Sequence, residues 1–159
     1  MSKIWRLIME SNELVEIKEV FVKTDRTQGN MVILKRSEED SHYFLMFVGD
    51  AEITAIAKEK GLVEPKRPLT HDIYLTILRR TGAVFEKIVI SEMRDNTFYA
   101  KIYVRINDEE VVFDARPSDA VALALHEKCP IWVNKKLLRV ELTPEEVHEF
   151  EMIVKTVKF

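Results

Sequence analysis

The chain has 159 residues, 47% of them apolar and 32% charged, with 4 Gly, 5 Pro and 1 Cys. That is enough apolar material for one domain with a sizeable core, too little Gly and Pro for a disordered chain, and too few cysteines for a disulfide framework. A formal net charge of −3 and a pI near 5.9 lack the basic footprint expected of a strong nonspecific nucleic-acid binder.

The first residues, 1–10, are partly apolar, but Arg6 and Glu10 bracket a run too short for a signal-peptide core, and no later stretch reaches transmembrane length. The expectation is a cytoplasmic protein with no membrane partner. Residues 14–22, 31–35 and 43–48 are rich in β-branched and aromatic side chains and are separated by turn formers, which predicts three strands. Asp50 can cap a following helix whose inner face is Ile53, Ile56 and Ala57, with Lys58, Glu59 and Lys60 facing water and Gly61 as the stop.

After a loop at 62–68, Thr70 is a candidate N-cap, Leu69 and Tyr74 a staple, and Ile73, Tyr74, Ile77, Leu78 and Thr81 a stripe at helical spacing that Gly82 ends. Residues 84–93 and 98–106, joined around Asp95-Asn96, predict a β-hairpin, and a turn at 107–109 leads into a strand at 111–113. The run Ala120-Val121-Ala122-Leu123-Ala124-Leu125 is apolar almost all round, so its helix should be the hub of the core. Ile131-Trp132-Val133 predicts a short strand; Cys129 beside Pro130 reads as a small buried hydrophobe, in keeping with a reducing compartment. Thr143-Pro144-Glu145-Glu146 opens a last helix stapled by Leu142 and Val147. The class is α+β, a mixed or antiparallel sheet with helices, and the order hints at a duplicated three-strand-plus-helix unit.

Several catalytic signatures fail. His126-Glu127 and His148-Glu149 lack the second histidine of a zinc-protease helix, and four scattered histidines with one cysteine give no structural-zinc spacing. The glycines at 29, 49, 61 and 82 are too dispersed for a phosphate-cradling loop. Glu16-Ile17-Lys18 fits the end of a nuclease motif without its upstream acid.

Two arginine-proline segments remain, Arg67-Pro68-Leu69-Thr70-His71-Asp72 and Asp114-Ala115-Arg116-Pro117-Ser118-Asp119. An arginine beside a helix N-terminus is electrostatically misplaced unless an anion or carboxylate lies between them. In the architectural reading the prolines stiffen helix entries, Thr70 and Ser118 cap, Asp72 and Asp119 complement the dipole, and the arginines pair with acids. In the chemical reading Arg67 and Arg116 bind phosphate oxygens while carboxylates hold a divalent ion or orient water. Both put the residues in the same place.

The succession of these segments, with Asp95-Asn96-Thr97-Phe98-Tyr99-Ala100 between them, resembles the bifunctional nuclease family over residues 15–138. The resemblance implies nuclease activity on DNA and RNA, an α+β fold and oligomeric assembly. The positions that match the family's motifs are Glu52, Arg67, Pro68, Thr70, His71, Asp72, Asp114, Arg116, Pro117, Ser118 and Asp119. On this footing the expected function is hydrolysis of DNA or RNA phosphodiesters, assisted by Mg2+ or Mn2+ and no organic cofactor. Arg67, Arg116, Thr70 and Ser118 would hold phosphate, and Asp72, Asp114, Asp119 and Glu52 would ligate metal. His71, Asp72, Asp114 and Asp119 would be catalytic, His71 as general acid or base, since imidazoles as a class titrate near neutrality.

The rival expectation, favoured by the net acidity, is a non-catalytic homo-oligomer that binds an anion or regulates, with the same motifs used structurally. The chain departs from the family pattern at Phe47-Val48-Gly49, where relatives often carry Trp-Ile-Gly, and at Lys58-Glu59-Lys60, where they tend to continue apolar. The expected division is a nuclease-like domain at 1–141 and a helical extension at 142–159.

Overall fold

Apolar residues fall on odd positions at Val15 and Ile17 but on even positions at Val20 and Val22. A strand presents alternate residues to one face, so no single strand can bury both sets. The computed structural model, which describes residues 13–139, resolves the conflict by breaking the expected strand at Lys18 into β1 (Leu14–Ile17) and β2 (Glu19–Asp25). β1 and β2 join different sheets, and Ile17, Val20 and Val22 are all buried.

β2 pairs antiparallel with β3 (Gly29–Lys35), and β3 with β4 (Phe44–Val48), giving a three-stranded sheet. The second sheet has the order β1-β8-β5-β6-β7, with β5 (Val84–Arg94), β6 (Thr97–Ile106), β7 (Glu109–Ala115) and β8 (Ile131–Asn134). β5 runs parallel to β8 and antiparallel to β6, so this sheet is mixed and the class is α+β as expected. Both hairpin turns have two residues with positive φ, Asp95-Asn96 and Asn107-Asp108, the backbone that matches strand twist in tight hairpins. The order of a three-stranded meander followed by a helix does recur: β2-β3-β4 leads to α1 (Asp50–Glu59), and β5-β6-β7 to α3 (Pro117–Glu127). The expected helix after residue 142 lies outside the described residues.

α3 is the hub that its composition predicts, with Ala120, Val121, Ala122, Leu123 and Ala124 buried against a core that includes Leu34, Phe44, Ile56, Ile88 and Ile90. α2 (Thr70–Arg80) departs from expectation. Its buried residues are His71 and Leu75, whereas Ile73 and Ile77, expected on the inner face, are 54% and 60% exposed. The inward line 71, 75, 78 is set by polar contacts at the first turn, described below, which outweigh the apolar stripe.

The caps also differ. Gly49, Leu69 and Arg116 occupy the three N-cap positions, so Asp50, Thr70 and Ser118, expected as caps or near them, lie inside their helices. The carboxylates at the third helical position of α1 and α2, Glu52 and Asp72, satisfy these helix ends instead, while Asp119 of α3 binds the Arg116 side chain. Asp72 Oδ2 accepts from the Leu69 N–H at 2.8 Å, and Glu52 accepts from the Gly49 N–H. Glu52 folds so closely over Gly49 that a Cβ there would collide with its Oε2. Among the described residues, no helix is long and apolar enough to cross a membrane.

Candidate functional site

The first turns of all three helices contribute to one cleft of about 460 Å3. Its walls include Asp50 and Glu52 of α1, Thr70, His71 and Tyr74 of α2, and Arg116 and Asp119 of α3. Helix first turns carry unpaired N–H groups and partial positive charge, so a cleft walled by three of them suits an anion.

Arg116 dominates its rim. Nε and Nη2 donate to the Asp119 carboxylate at 2.7 and 3.0 Å, and Nη1 donates to Glu52 Oε1 at 3.1 Å. These carboxylates resolve the electrostatic problem that an arginine at a helix N-terminus poses. The bidentate bond to Asp119, helped by Glu52, raises the Arg116 guanidinium above its ordinary value. A bond from its own backbone N–H and the Arg116 bond hold the Glu52 carboxyl below the usual range. The Arg116 side chain is still 64% exposed, and the N–H groups not used on Asp119 and Glu52 remain open to a ligand.

Behind the cleft lies a second cluster. His71, 5% exposed, forms a 2.7 Å bond from Nε2 to Glu59 Oε1. An ionised carboxylate only accepts, so Nε2 is the donor in this bond. Lys58 donates to Glu59 Oε1 at 2.8 Å and also to Asp72 Oδ1. His126 Nε2 lies 3.6 Å from the same Asp72 oxygen, and the two imidazole centroids are 5.8 Å apart. Burial by itself would raise the Glu59 and Asp72 carboxyls, but hydrogen bonds from Lys58, with His71 on Glu59 and the Leu69 N–H on Asp72, hold both below the ordinary range. The reading of Lys58 and Glu59 as water-facing is therefore corrected, because their side chains are only 27% and 11% exposed. Their ionic partners on α2 draw them in.

The residues nominated from sequence divide into groups. Glu52, Thr70, His71, Arg116 and Asp119 share the cleft walls. Asp72 belongs to the inner cluster. Ser118 is buried in the first turn of α3. Arg67 is exposed on the loop before α2, and Asp114 is exposed on β7 opposite Lys101. The four nominated metal ligands thus have no common centre: Arg116 takes Glu52 and Asp119, Lys58 takes Asp72, and Asp114 stands on a strand.

Among the described residues, the group whose ligand atoms do converge is Glu59, Asp72 and His126, all within 4.8 Å of one another. Sequence reasoning missed Lys58, Glu59 and His126 because Lys58 and Glu59 end α1 while His126 lies in the last turn of α3, far away in the chain. The available signal was ionisable residues at the C-terminal ends of two largely apolar helices. Cys129 is partly rather than fully buried against the core, and that burial still pushes its thiol up to about 11, away from nucleophilic character.

A family model described as the bifunctional nuclease domain matches residues 32–146. An uncharacterised protein of Mycobacterium tuberculosis is 35% identical over 136 residues, covering 84% of this chain and 81% of its own length. The protein named bifunctional nuclease 1 of Oryza sativa subsp. japonica is 31% identical over 154 residues, covering 82% of this chain but 46% of the rice protein.

Proposed function

The chain belongs to the bifunctional nuclease family, and from that premise we propose that it hydrolyses phosphodiester bonds of DNA or RNA in the cleft between α1, α2 and α3. One observation carries the reading: a guanidinium with donors to spare and a carboxylate-backed imidazole line the same cavity. Arg116, the Thr70 hydroxyl and first-turn N–H groups take the non-bridging phosphate oxygens, and Glu52 and Asp119 aim Arg116. His71, with its proton directed to Glu59, accepts a proton from water at Nδ1 as that water attacks phosphorus, while the P–O bond to the departing sugar oxygen breaks and that oxygen takes a proton from solvent. Arg67, on the loop before α2, meets a phosphate further along the strand. Asp114 and Ser118 have no step in this scheme. No step here runs through Mg2+ or Mn2+, because Glu52, Asp72, Asp114 and Asp119 share no centre in this cleft.

A second reading, a non-catalytic homo-oligomer, is favoured by the exposure of Ile73 and Ile77 on one face of α2. One experiment separates the two. Purified wild type and His71→Ala are assayed on labelled single- and double-stranded DNA and RNA and sized by light scattering. The nuclease reading expects cleavage that falls about 100-fold or more in the variant with unchanged mass, the usual scale of a general base. No cleavage by the wild type, or equal cleavage by a folded variant, abandons it. Dissociation of an oligomer by Ile73→Glu with Ile77→Glu then becomes the expected result.

A further inference from the structure

We propose that Glu59, Asp72 and His126 form a transition-metal site, with zinc the best-matched ion, and that the Lys58 ammonium occupies it as a stand-in cation until metal displaces it. The site differs from the ligand set expected from sequence and stands whatever the cleft hydrolyses.

The donor chemistry selects the ion class. Two carboxylates and an imidazole suit zinc or a similar first-row metal, whereas magnesium favours oxygen donors alone. The geometry is partly set already. Asp72 Oδ1 and His126 Nε2 are 3.6 Å apart, close to the roughly 3.4 Å edge of a tetrahedron with zinc bonds of about 2.1 Å. Glu59 is the ligand that must close in, since the three ligand atoms otherwise lie within 4.8 Å.

The surrounding bonds hold these donors in the way metal sites require. Leu69 N–H fixes the second oxygen of Asp72, and His71 fixes Glu59. His126 has a feature that the ion-pair network leaves unexplained. Its Nδ1 is buried without a hydrogen-bond partner, 3.5 Å from Glu127 Oε1, and Glu127 is itself clamped by Arg79 through contacts of 2.9–3.2 Å. Metal on Nε2 would fix the imidazole proton on Nδ1, facing that carboxylate, which is the usual outer partner of a metal-bound histidine. Lys58, bonded to both Glu59 and Asp72, supplies the positive charge the carboxylates need, and its long stem lets it withdraw to solvent.

The test is a zinc titration of the metal-stripped full chain against a competing chelator, with circular dichroism on each variant. Wild type is expected to bind one zinc per chain, Lys58→Met to bind about tenfold tighter, and His126→Ala about tenfold or more weaker, while Glu52→Gln in the rim cluster stays unchanged. Should His126→Ala not fold, cobalt added to the wild type gives an independent readout, the strong visible bands of a four-coordinate site. Absence of zinc binding in both wild type and Lys58→Met, or equal binding by a folded His126→Ala, overturns the proposal. Because the readout is binding, it can fail while cleavage is present, and the reverse.

Discussion

At the N-terminal end of α3, Arg116 gathers Glu52 and Asp119 where the guanidinium is 64% exposed and Asp119 44%. At the C-terminal end of the same helix, His126 meets Asp72, Glu59, His71 and Lys58, whose side chains are between 6% and 27% exposed. Both clusters use the same device, a carboxylate at the third position of a helix, yet water treats them differently. At the rim, solvent screens each pair and the charges are available to a ligand. In the inner cluster, each charge depends on its neighbours, because none is fully hydrated. The lesson is that the conspicuous motif marks the accessible chemistry, while the groups that position α2 are inconspicuous.

The comparison can be broken most sharply by deleting one inner charge. Glu59→Ala strands Lys58 against Asp72 alone and removes the acceptor of His71, and it is expected to destabilise the fold by about 2–3 kcal/mol in denaturant unfolding. A loss below about 1 kcal/mol would place the inner cluster in the same class as the rim.

Acid provides the next test. Glu59 and Asp72 titrate lower in the folded chain than unfolded, so their contribution is complete above the ordinary carboxylate range and is lost as pH falls through about 4 and below. Unfolding midpoints measured from pH 7 to pH 3 should fall more steeply for wild type than for Glu59→Gln; parallel curves would remove Glu59 from the account.

The smallest effect is expected at the rim. Arg116→Ala should change stability by no more than about 1 kcal/mol, and less in high salt, as measured by the same unfolding assay. A larger, salt-insensitive loss would mean that the rim is structural after all.

Much of this architecture was legible. The hairpin through Asp95-Asn96, the helix stop at Gly61 and the buried run at 120–124 each follow from a local rule, of turn backbone, left-handed glycine or unbroken apolarity. The break at Lys18 was legible too, but only by counting phase, since the composition of residues 14–22 is that of one strand. α2 was misread because its apolar residues outnumber the polar ones that orient it. A stripe predicts burial only when nothing stronger fixes the helix, and here His71 and Asp72 bond across to α1. In the site, Arg116 with its acids was readable within one segment. The Glu59–His71 bond spans 12 positions and the His126–Asp72 approach joins two helices, and no local spacing encodes either.

α3 also acts as a ruler. Arg116 stands at its N-cap and His126 in its last turn, ten residues on, so at about 1.5 Å per residue the two are held about 15 Å apart along one buried rod. Neither end can slide without the other. One residue inserted between them would advance His126 by about 1.5 Å and swing it about 100° around the axis, turning it away from Asp72 while leaving Arg116 where it is. The length of this helix is therefore as much a part of the site as any side chain on it.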